Sequence, residues 1–475
     1  MRKNEVELVT KNPVKKIFDM FNKPTDMTKG APWKGLVIFT IPMIIGNIAQ
    51  QLYSTVDSIV VGNTEGVGVT GLSAIGSAMP ILNMLLVLFI GISAGASIMV
   101  SQYFGAKKRE DLSKTIGNCI TVTLISCVFL IAVMTPLIRP ILEVLNTPPS
   151  TIDWCEDYLV ISIIGCAGMA FYNILSGIIR GLGDSMSALI YLLVATVINI
   201  ILDIILVRHM EVGGVALATV IAQFVSSALC LWKLSRMNEF FDFKLKYLKP
   251  EAKYVKTIIR LGLPSGATQM IFSSAMLVVQ RLTNGFGDMF VAANVIVMRV
   301  DGFAMMPNFS FGTALTTYAG QNVGAGLYDR VPKGAKQGTL MAVGCSSFLT
   351  VIILVFGRHI MGLFSNDAPE VIAMSYELMK ILAVGYIAMA VTQSLSGIMR
   401  GAGDTVTPMW ISLITTVCVR VPLAYGIAYL TSPTGILNDG VKECIQYSLL
   451  ATWVLGALVT AFFYKLGKWK NKAIN

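Results

Sequence analysis

Two aspartates stand inside strongly apolar stretches of this sequence. Asp57 lies about four residues before the end of one predicted helix, and Asp203 lies about five residues before the end of another. At 1.5 Å per residue, both carboxylates are roughly 6–8 Å inside the same boundary of the apolar layer. A carboxylate is costly in such surroundings, so each of the two is by default a candidate for function.

Neutral oxygen donors are predicted at the same depth. Asn199 precedes Asp203 by four residues and shares its helix face, and Thr219 lies about seven residues inside the next predicted helix. Two carboxylates, an amide and a hydroxyl are hard oxygen ligands that suit an alkali cation. Two close carboxylates in an apolar bundle also cannot both stay ionised at low cost, so one should hold an exchangeable proton. The sequence therefore predicts a cation site for H⁺ or Na⁺ at Asp57, Asn199, Asp203 and Thr219. The alternative is that each aspartate only ties helices together.

The elements that must hold these residues are transmembrane helices. Of the 475 residues, 55% are hydrophobic and 13% are charged, whereas about 25% are charged in an average soluble protein. The mean hydropathy is +0.69. We therefore predict an all-α polytopic membrane protein. Its twelve predicted spans are 36–61, 68–103, 116–142, 152–180, 185–208, 212–234, 258–285, 289–322, 335–363, 370–399, 405–430 and 444–466.

This composition argues against an enzyme. Twelve helices leave no room for a soluble domain, and the sequence has only two histidines and eight scattered cysteines without a CxxC pair. It also lacks the GxxxxGK[ST] loop that would bind ATP. We expect no cofactor and no resident metal centre other than a coupling ion.

The basic residues predict the orientation. Of the 37 Lys and Arg residues, 29 fall in the N-terminal segment, the C-terminal tail and the loops after helices 2, 4, 6, 8 and 10. The positive-inside bias therefore places both termini in the cytoplasm, with the protein in the cytoplasmic membrane. Topology and anionic lipid then explain the net charge of +10 without a nucleic-acid partner. Residues 1–34 lack a signal peptide, and within them 14–21 form either a surface helix or part of a disordered tail.

The sequence is internally duplicated. Residues 176–184 (SGIIRGLGD) recur as residues 396–404 (SGIMRGAGD), and SQYFGA at 101–106 resembles GQNVGA at 320–325. Each half therefore carries six helices with the same orientation, related by a pseudo-twofold axis along the membrane normal. We predict a cytoplasmic segment (1–34), an N-lobe (35–236), a linker (237–257) and a C-lobe (258–475).

The chain resembles the MATE (multidrug and toxic compound extrusion) family in these motifs and in its first helix (residues 41–62, IPMIIGNIAQQLYSTVDSIVVG). The resemblance covers nearly the whole chain. It implies two six-helix lobes, export of bulky and often cationic or amphipathic compounds, and coupling to sodium or protons. It also places Asp57, Asn199, Asp203 and Thr219 where prokaryotic members have the N-lobe cation site. Because helix 7 lacks a buried acid, the chain is most similar to the DNA-damage-inducible-F-like branch.

The second half does not repeat the cation site. The counterparts of Asp57 and of Asn199–Asp203 fall near Gln280–Arg281 and near Arg420, so bases replace acids. We expect Arg281, Arg299, Lys380 and Arg420 to be buried, with Arg299 and Asp301 both in helix 8 and Lys380 paired with Glu377 in helix 10. These ions either neutralise one another or contact the substrate. The predicted substrate cavity comprises Gln50, Tyr53, Gln280, Arg281, Met298, Arg299, Met305, Met306, Phe309 and Arg420, and includes methionines because they adapt to varied shapes.

The sequence thus favours a secondary antiporter that exports amphipathic, often cationic organic compounds in exchange for H⁺ or Na⁺ by alternating access. We expect it to act as a monomer in the lipid bilayer on small molecules. The main alternative is a flippase for lipid-linked saccharides of the same superfamily, which would need a large cationic cavity. A membrane-embedded enzyme and a passive channel are disfavoured.

Overall fold

The computed structural model describes residues 24–64, 67–145, 147–364 and 369–474, and these residues form a helical bundle. The surface helix considered for residues 14–21 lies outside this part of the chain. The predicted N-terminal segment is described only from Pro24, and it leads into the first helix at Pro32.

Six helices, α1 to α6, make up the N-lobe. Helix α4 consists of two segments that meet at a bend of 49°, which the sequence did not predict. The bounds are α1 (Pro32–Asn63), α2 (Gly68–Gly105), α3 (Arg109–Met134, continued by Thr135–Leu137 and Ile138–Val144), α4a (Ile152–Ile164), α4b (Cys166–Gly181), and α5 with α6 (Ser185–Ser235, divided at Glu211).

Six further helices, α7 to α12, make up the C-lobe. Helix α11 contains a π-helical stretch, in which hydrogen bonds run to the fifth residue along the chain. The bounds are α7 (Ala252–Gly285), α8 (Asp288–Gly324), α9 (Arg330–Gly362), α10 (Pro369–Gly401), α11 (Val406–Leu413, Ile414–Arg420 and Val421–Leu430) and α12 (Cys444–Leu466), with short 3₁₀ helices at Leu245–Leu248, Leu437–Asp439 and Lys468–Asn471.

The described residues therefore confirm the twelve predicted transmembrane helices. Ten helical runs are long and apolar enough to cross a membrane, and the bent pair α4a–α4b makes an eleventh. The run Ser185–Ser235 supplies two spans, because Glu211 has non-helical backbone angles (φ 52°, ψ −130°) that turn the chain back on itself. Gly214 permits the return, since a Cβ there would lie 2.5 Å from the carbonyl oxygen of Leu206.

The two lobes pack closely where α2 meets α7. A Cβ at Gly91 would lie 2.8 Å from the carbonyl oxygen of Gly262, and one at Gly95 would lie 2.7 Å from that of Ile258. Glycine at these positions allows the two backbones to approach without side chains between them. This glycine contact forms one side of the lobe interface, and α8 packing against α1 and α2 forms the other.

One end of the bundle carries most of the lysines and arginines of the described loops. It holds both described chain ends, Pro24 and Ile474, and the α2–α3, α6–α7 and α8–α9 connections, and we call it the basic end. The α6–α7 linker is fixed there, because Thr121 on α3 donates to the carbonyl oxygen of Leu248 at 2.6 Å.

Candidate cation site and substrate cavity

Helices α1, α5 and α6 bring the four predicted cation ligands together. With its nitrogen turned to the acids, the Asn199 amide donates to Asp57 Oδ1 at 3.0 Å and to Asp203 Oδ2 at 3.1 Å. The carboxyl groups of Asp57 and Asp203 are therefore neighbours on the same amide nitrogen. The two acids thus form a dyad that a single amide bridges.

The break at Glu211 explains why α5 and α6 contribute at the same level. Asp203 lies eight residues before Glu211 and Thr219 lies eight residues after it, and the two helices are antiparallel neighbours. Their side chains therefore meet at equal distances from the turn, about 12 Å at 1.5 Å per residue. Asp57 lies six residues before the end of α1, so all three helices present oxygen atoms near one depth.

A hydroxyl relay extends the dyad. Thr219 Oγ1 lies 3.3 Å from the end of the Asn199 amide that faces away from the acids, and 2.9 Å from the Tyr53 hydroxyl. Tyr53, Thr219 and Asn199 therefore form a continuous hydrogen-bonded chain that ends on the two carboxyl groups. Gln50, the other predicted neighbour on α1, has an exposed side chain.

The site has the chemistry to hold a small cation. Asn199 and Asp203 are fully buried, and Asp203 Oδ1 has no hydrogen-bond partner among the described residues. A buried carboxylate oxygen without a partner is unfavourable unless a proton or a cation satisfies it. Two carboxyl groups, an amide and a hydroxyl are hard oxygen donors, which suit a proton or an alkali cation.

Two adjoining cavities lie in the C-lobe and at its interface with the N-lobe. One, of about 320 Å³, is lined by α2, α4b, α7, α8, α10, α11 and α12. The other, of about 360 Å³, is lined by α7, α8, α10, α11 and α12. Both reach Phe272, Phe309, Met389 and Trp453, which form a shared apolar wall. Volumes above about 300 Å³ accommodate small organic ligands.

The second cavity contains about half of the residues that the sequence predicted for substrate. It is lined by Gln280, Met298, Met305, Phe309 and Arg420. Gln50, Tyr53, Arg281, Arg299 and Met306 are not among the lining residues of either cavity. Met306 instead packs in the interior of the C-lobe.

The prediction that Arg281, Arg299 and Lys380 are buried bases is wrong. Arg281 and Arg299 are exposed, and Lys380, which does pair with Glu377 at 2.6 Å, keeps 38% of its side chain exposed. The reason is helix geometry: residues one or two positions apart point to different faces. Gln280 therefore faces the cavity while Arg281 does not, and Asp301 faces inward while Arg299 does not.

Asp301 and Arg420 supply the charge of the second cavity. The Tyr386 hydroxyl donates to Asp301 Oδ1 at 3.0 Å, and Tyr386 was not predicted from the sequence. Arg420 is the last residue of the π-helical stretch of α11, and its buried Nε has no partner among the described residues.

The basic end is closed by two glutamines from equivalent positions of the repeat. Gln102 at the end of α2 donates to the carbonyl oxygen of Gly401 at 2.8 Å, and Gln321 at the end of α8 donates to that of Gly181 at 3.3 Å. The backbone amides of Ile474 and Met27 donate to Gln102 Oε1 and Gln321 Oε1 respectively. We call this arrangement the glutamine clasp. The two glutamines lie in the repeated segments 101–106 and 320–325, so this repeat is the sequence feature that could have indicated the clasp.

Among the described residues, no matching connection occurs toward the other end. The hydrogen bonds that join described residues of the two lobes lie at the basic end or no further from it than the bond from Asn47 Nδ2 to Ser310 Oγ, at 3.0 Å. The lobes are therefore joined from the basic end to mid-bundle and are not joined by hydrogen bonds between described residues beyond it.

Comparison with known proteins decides the family. The sequence model of the MatE family matches the chain twice, over residues 42–205 and 264–426, which together make up more than half of the chain. The chain belongs to the MATE family. The two matches fall one in each predicted half, as the internal duplication requires.

Curated relatives of the MATE protein align over nearly its full length. The probable multidrug resistance proteins YoeA and YpnP of Bacillus subtilis are each 28% identical over 94% of this chain and over 96% and 98% of their own lengths. The probable multidrug resistance protein NorM of Thermotoga maritima is 24% identical over 93% of this chain and 94% of its own length.

Solved structures show the same fold. A crystal structure of a MATE protein in complex with MaL6 superposes with a TM-score of 0.86 at 22% identity, covering 94% of this chain and 98% of that one. A MOP-superfamily transporter from Pyrococcus furiosus gives 0.85 at 23% identity with the same coverage. The two-lobe arrangement of twelve helices is thereby confirmed. As a MATE transporter of small molecules, the protein is not an enzyme and needs no cofactor.

Proposed function

We propose that this MATE protein is a secondary active antiporter that exports amphipathic organic compounds in exchange for H⁺ or Na⁺. The observation that carries the proposal is the buried dyad of Asp57 and Asp203, bridged by Asn199 and with one carboxylate oxygen left without a partner. The dyad is complete in the N-lobe, whereas the cavities that could hold an organic molecule lie in and beside the C-lobe.

The positive-inside bias supports a cytoplasmic position for the basic end, with both termini inside and the protein in the cytoplasmic membrane. With that orientation, the glutamine clasp closes the cytoplasmic side, and no hydrogen bond between described residues joins the lobes toward the outside. The described conformation is then outward-facing, the state in which substrate leaves and the coupling ion enters.

The proposed cycle follows from electrostatics. A proton or Na⁺ bound at the dyad removes repulsion between two carboxylates and draws α1 toward α5 and α6. Because α1 also packs against α8 and α9 of the other lobe, its movement reaches the lobe interface. Rocking of the lobes, with rupture of the glutamine clasp, then exposes the cavities to the cytoplasm.

Amphipathic substrates fit the shared apolar wall, which is flanked by hydroxyl and amide side chains. The multidrug names of YoeA, YpnP and NorM support export of varied compounds and do not favour the saccharide flippase. We assign the chain to the DNA-damage-inducible-F-like branch because its described α7 contains no acidic residue, and we expect a monomer.

The decisive experiment is efflux by purified protein in liposomes, with proton and sodium gradients imposed separately. A lipophilic fluorescent dye serves as substrate. We expect one gradient to drive dye transport and dye movement in turn to dissipate that gradient. Equal dye transport with both gradients collapsed would contradict antiport and indicate a passive pathway.

A further inference from the structure

Two arginines from equivalent positions of the repeat face the same cavity. Arg180 is in the last turn of α4b in the N-lobe, and Arg400 is in the last turn of α10 in the C-lobe. Both line the 320 Å³ cavity between the lobes. Each belongs to the motif R-G-x-G-D, whose aspartate would be the nearest candidate to neutralise it.

In the first copy of the motif, the aspartate is engaged elsewhere. Asp184 caps the start of α5 by accepting from the Ser187 backbone amide at 2.9 Å and from the Ser187 hydroxyl at 2.7 Å. It also forms an ion pair with Lys233 at 3.3 Å. The carboxylate of Asp184 therefore does not neutralise Arg180.

The second copy repeats this arrangement. Asp404 accepts from the Thr407 backbone amide at 3.1 Å and from its hydroxyl at 2.7 Å. Neither Arg180 nor Arg400 forms an ion pair or a side-chain hydrogen bond with any described residue. Two half-buried guanidinium groups thus face one cavity without a partner among the described residues, and a guanidinium held away from bulk water without hydrogen bonds is unfavourable.

The rest of the cavity wall does not supply a counter-charge. Among its described lining residues there is no aspartate or glutamate, and the polar groups near the arginines are hydroxyls and an amide. Ser93, Asn173 and Thr316 already donate to backbone carbonyl oxygens, whereas Ser97 and Ser396 form no side-chain hydrogen bond with described residues. Hydroxyl donors together with guanidinium forks are the groups that proteins use to bind oxyanions, because each guanidinium can donate two parallel hydrogen bonds.

We propose that Arg180 and Arg400 form a subsite for an anionic group of the substrate. The cavity then takes amphipathic compounds that carry a carboxylate, sulfonate or phosphate, including zwitterions, with the apolar part against Phe272, Phe309 and Trp453. This inference deepens the proposed export function and rests on it. It differs from the often cationic substrates that the family resemblance implies, because two unpaired guanidiniums repel a simple cation.

The subsite adjoins the glutamine clasp. Gly181 and Gly401, the residues directly after the two arginines, are the ones that accept hydrogen bonds from Gln321 and Gln102. Because one arginine belongs to each lobe, the pair can contact a single anion only while the basic end is closed. An anionic group held between them therefore favours closure of that end around the substrate.

A matched pair of fluorescent probes tests the subsite. 1-Anilinonaphthalene-8-sulfonate carries a sulfonate, and N-phenyl-1-naphthylamine is the same aromatic compound without it. Binding is titrated to full-length protein in phosphatidylcholine nanodiscs without an ion gradient, with empty nanodiscs subtracted. For Arg180→Gln and for Arg400→Gln, we expect the sulfonate probe to lose at least about tenfold in affinity, while the neutral probe changes by less than about twofold.

Controls separate the subsite from a structural role. Arg236→Gln removes an exposed arginine at the basic end and should change neither affinity, and Arg180→Lys should retain part of the sulfonate affinity. Equal weakening of both probes, or no weakening of either, overturns the proposal. Since binding is measured without a gradient, loss of gradient-driven efflux does not change this readout, so failure of antiport and failure of the subsite are distinguishable.

Changing the lipid composition distinguishes two sources of the anionic group, a lipid phosphate and a free compound. If lipid phosphate occupies the subsite, phosphatidylglycerol in the nanodisc should compete with the sulfonate probe in the wild type and lose that effect in Arg400→Gln. If only free compounds enter, phosphatidylglycerol should leave the affinity unchanged. Competition of equal strength in the wild type and in Arg400→Gln would overturn the proposed subsite.

Discussion

Gln102 and Gln321 occupy equivalent positions in the two halves of the chain, and each donates its side-chain amide to a backbone carbonyl of the opposite lobe. The two chain ends complete the arrangement through the amides of Met27 and Ile474. Closure of the basic end is therefore built from neutral hydrogen bonds of modest strength, which suits a connection that must break in each transport cycle.

Removal of both clasp glutamines should open the basic end. For the double variant Gln102→Ala/Gln321→Ala we expect the closed state to lose about 1–3 kcal/mol, because two side-chain hydrogen bonds are lost. Nitroxide labels at the exposed Lys108 and Lys333, in a variant without native cysteines, report the lobe separation by double electron–electron resonance. The distance distribution should gain a longer component. Gln223→Ala, within the N-lobe, serves as the control, and an unchanged distribution in the double variant would refute the clasp.

Neutralising the dyad should abolish coupled transport. We expect Asp57→Asn and Asp203→Asn each to lower gradient-driven efflux in liposomes at least about tenfold, because an amide cannot exchange a proton or balance a cation. Insertion and monodispersity should be retained. Asp153→Asn removes a carboxylate with 78% side-chain exposure and should transport normally. Wild-type efflux by either dyad variant would rule out the proposed mechanism.

The hydroxyl of Thr219 should contribute to stability through its two partners. Thr219→Val removes the partner of the Tyr53 hydroxyl and of the Asn199 amide oxygen, so we expect a loss of about 1–3 kcal/mol in the free energy of unfolding. Tyr53→Phe in the valine background should add little, since the shared interaction is already absent. Thermal unfolding in detergent measures the stability of the two single variants and the double variant. Thr219→Ser, which keeps the hydroxyl, should be about as stable as the wild type. Fully additive losses would show that the two residues are not coupled.

The glycine contact between α2 and α7 should not tolerate a methyl group. We expect Gly95→Ala to destabilise the protein by about 1–3 kcal/mol, because its Cβ would meet the Ile258 carbonyl oxygen and force the helices apart. Gly344→Ala is the matched control: nothing lies within 4 Å of the Cβ position there, and alanine favours a helix by up to about 1 kcal/mol over glycine. Thermal unfolding of both variants tests this. Equal changes in unfolding temperature would show that the close contact at Gly95 does not exclude a methyl group.

Hydropathy was sufficient to predict the number of helices, because a membrane span must satisfy its own backbone groups and so has a long apolar signal. The internal duplication predicted the two-lobe arrangement. The meeting of Asp57 and Asp203 was also predictable, since two costly acids at equal depth in neighbouring helices have few other partners. The bend between α4a and α4b was not predictable, because it contains no proline.

The direction of a side chain around its helix was the main source of error. Depth alone could not distinguish Asp301, which faces Tyr386, from Arg299, which faces away. The same uncertainty applied to Arg180 and Arg400, for which the sequence left open a gate or a scaffold role. The two motif aspartates cap the following helices instead of pairing with the arginines, and the spacing of the motif does not reveal this.

The π-helical stretch Ile414–Arg420 has a consequence for the evolution of the chain. Its counterpart in the first half, residues 194–200, lies in the regular α5 helix that carries Asn199. A π turn adds a residue and so rotates everything after it relative to that counterpart. Restoring an acid at the matching position of α11 would therefore not recreate a second ion site. The two halves thus differ in the register of this helix as well as in the residues it carries. Point mutations alone would therefore not make the second half equivalent to the first.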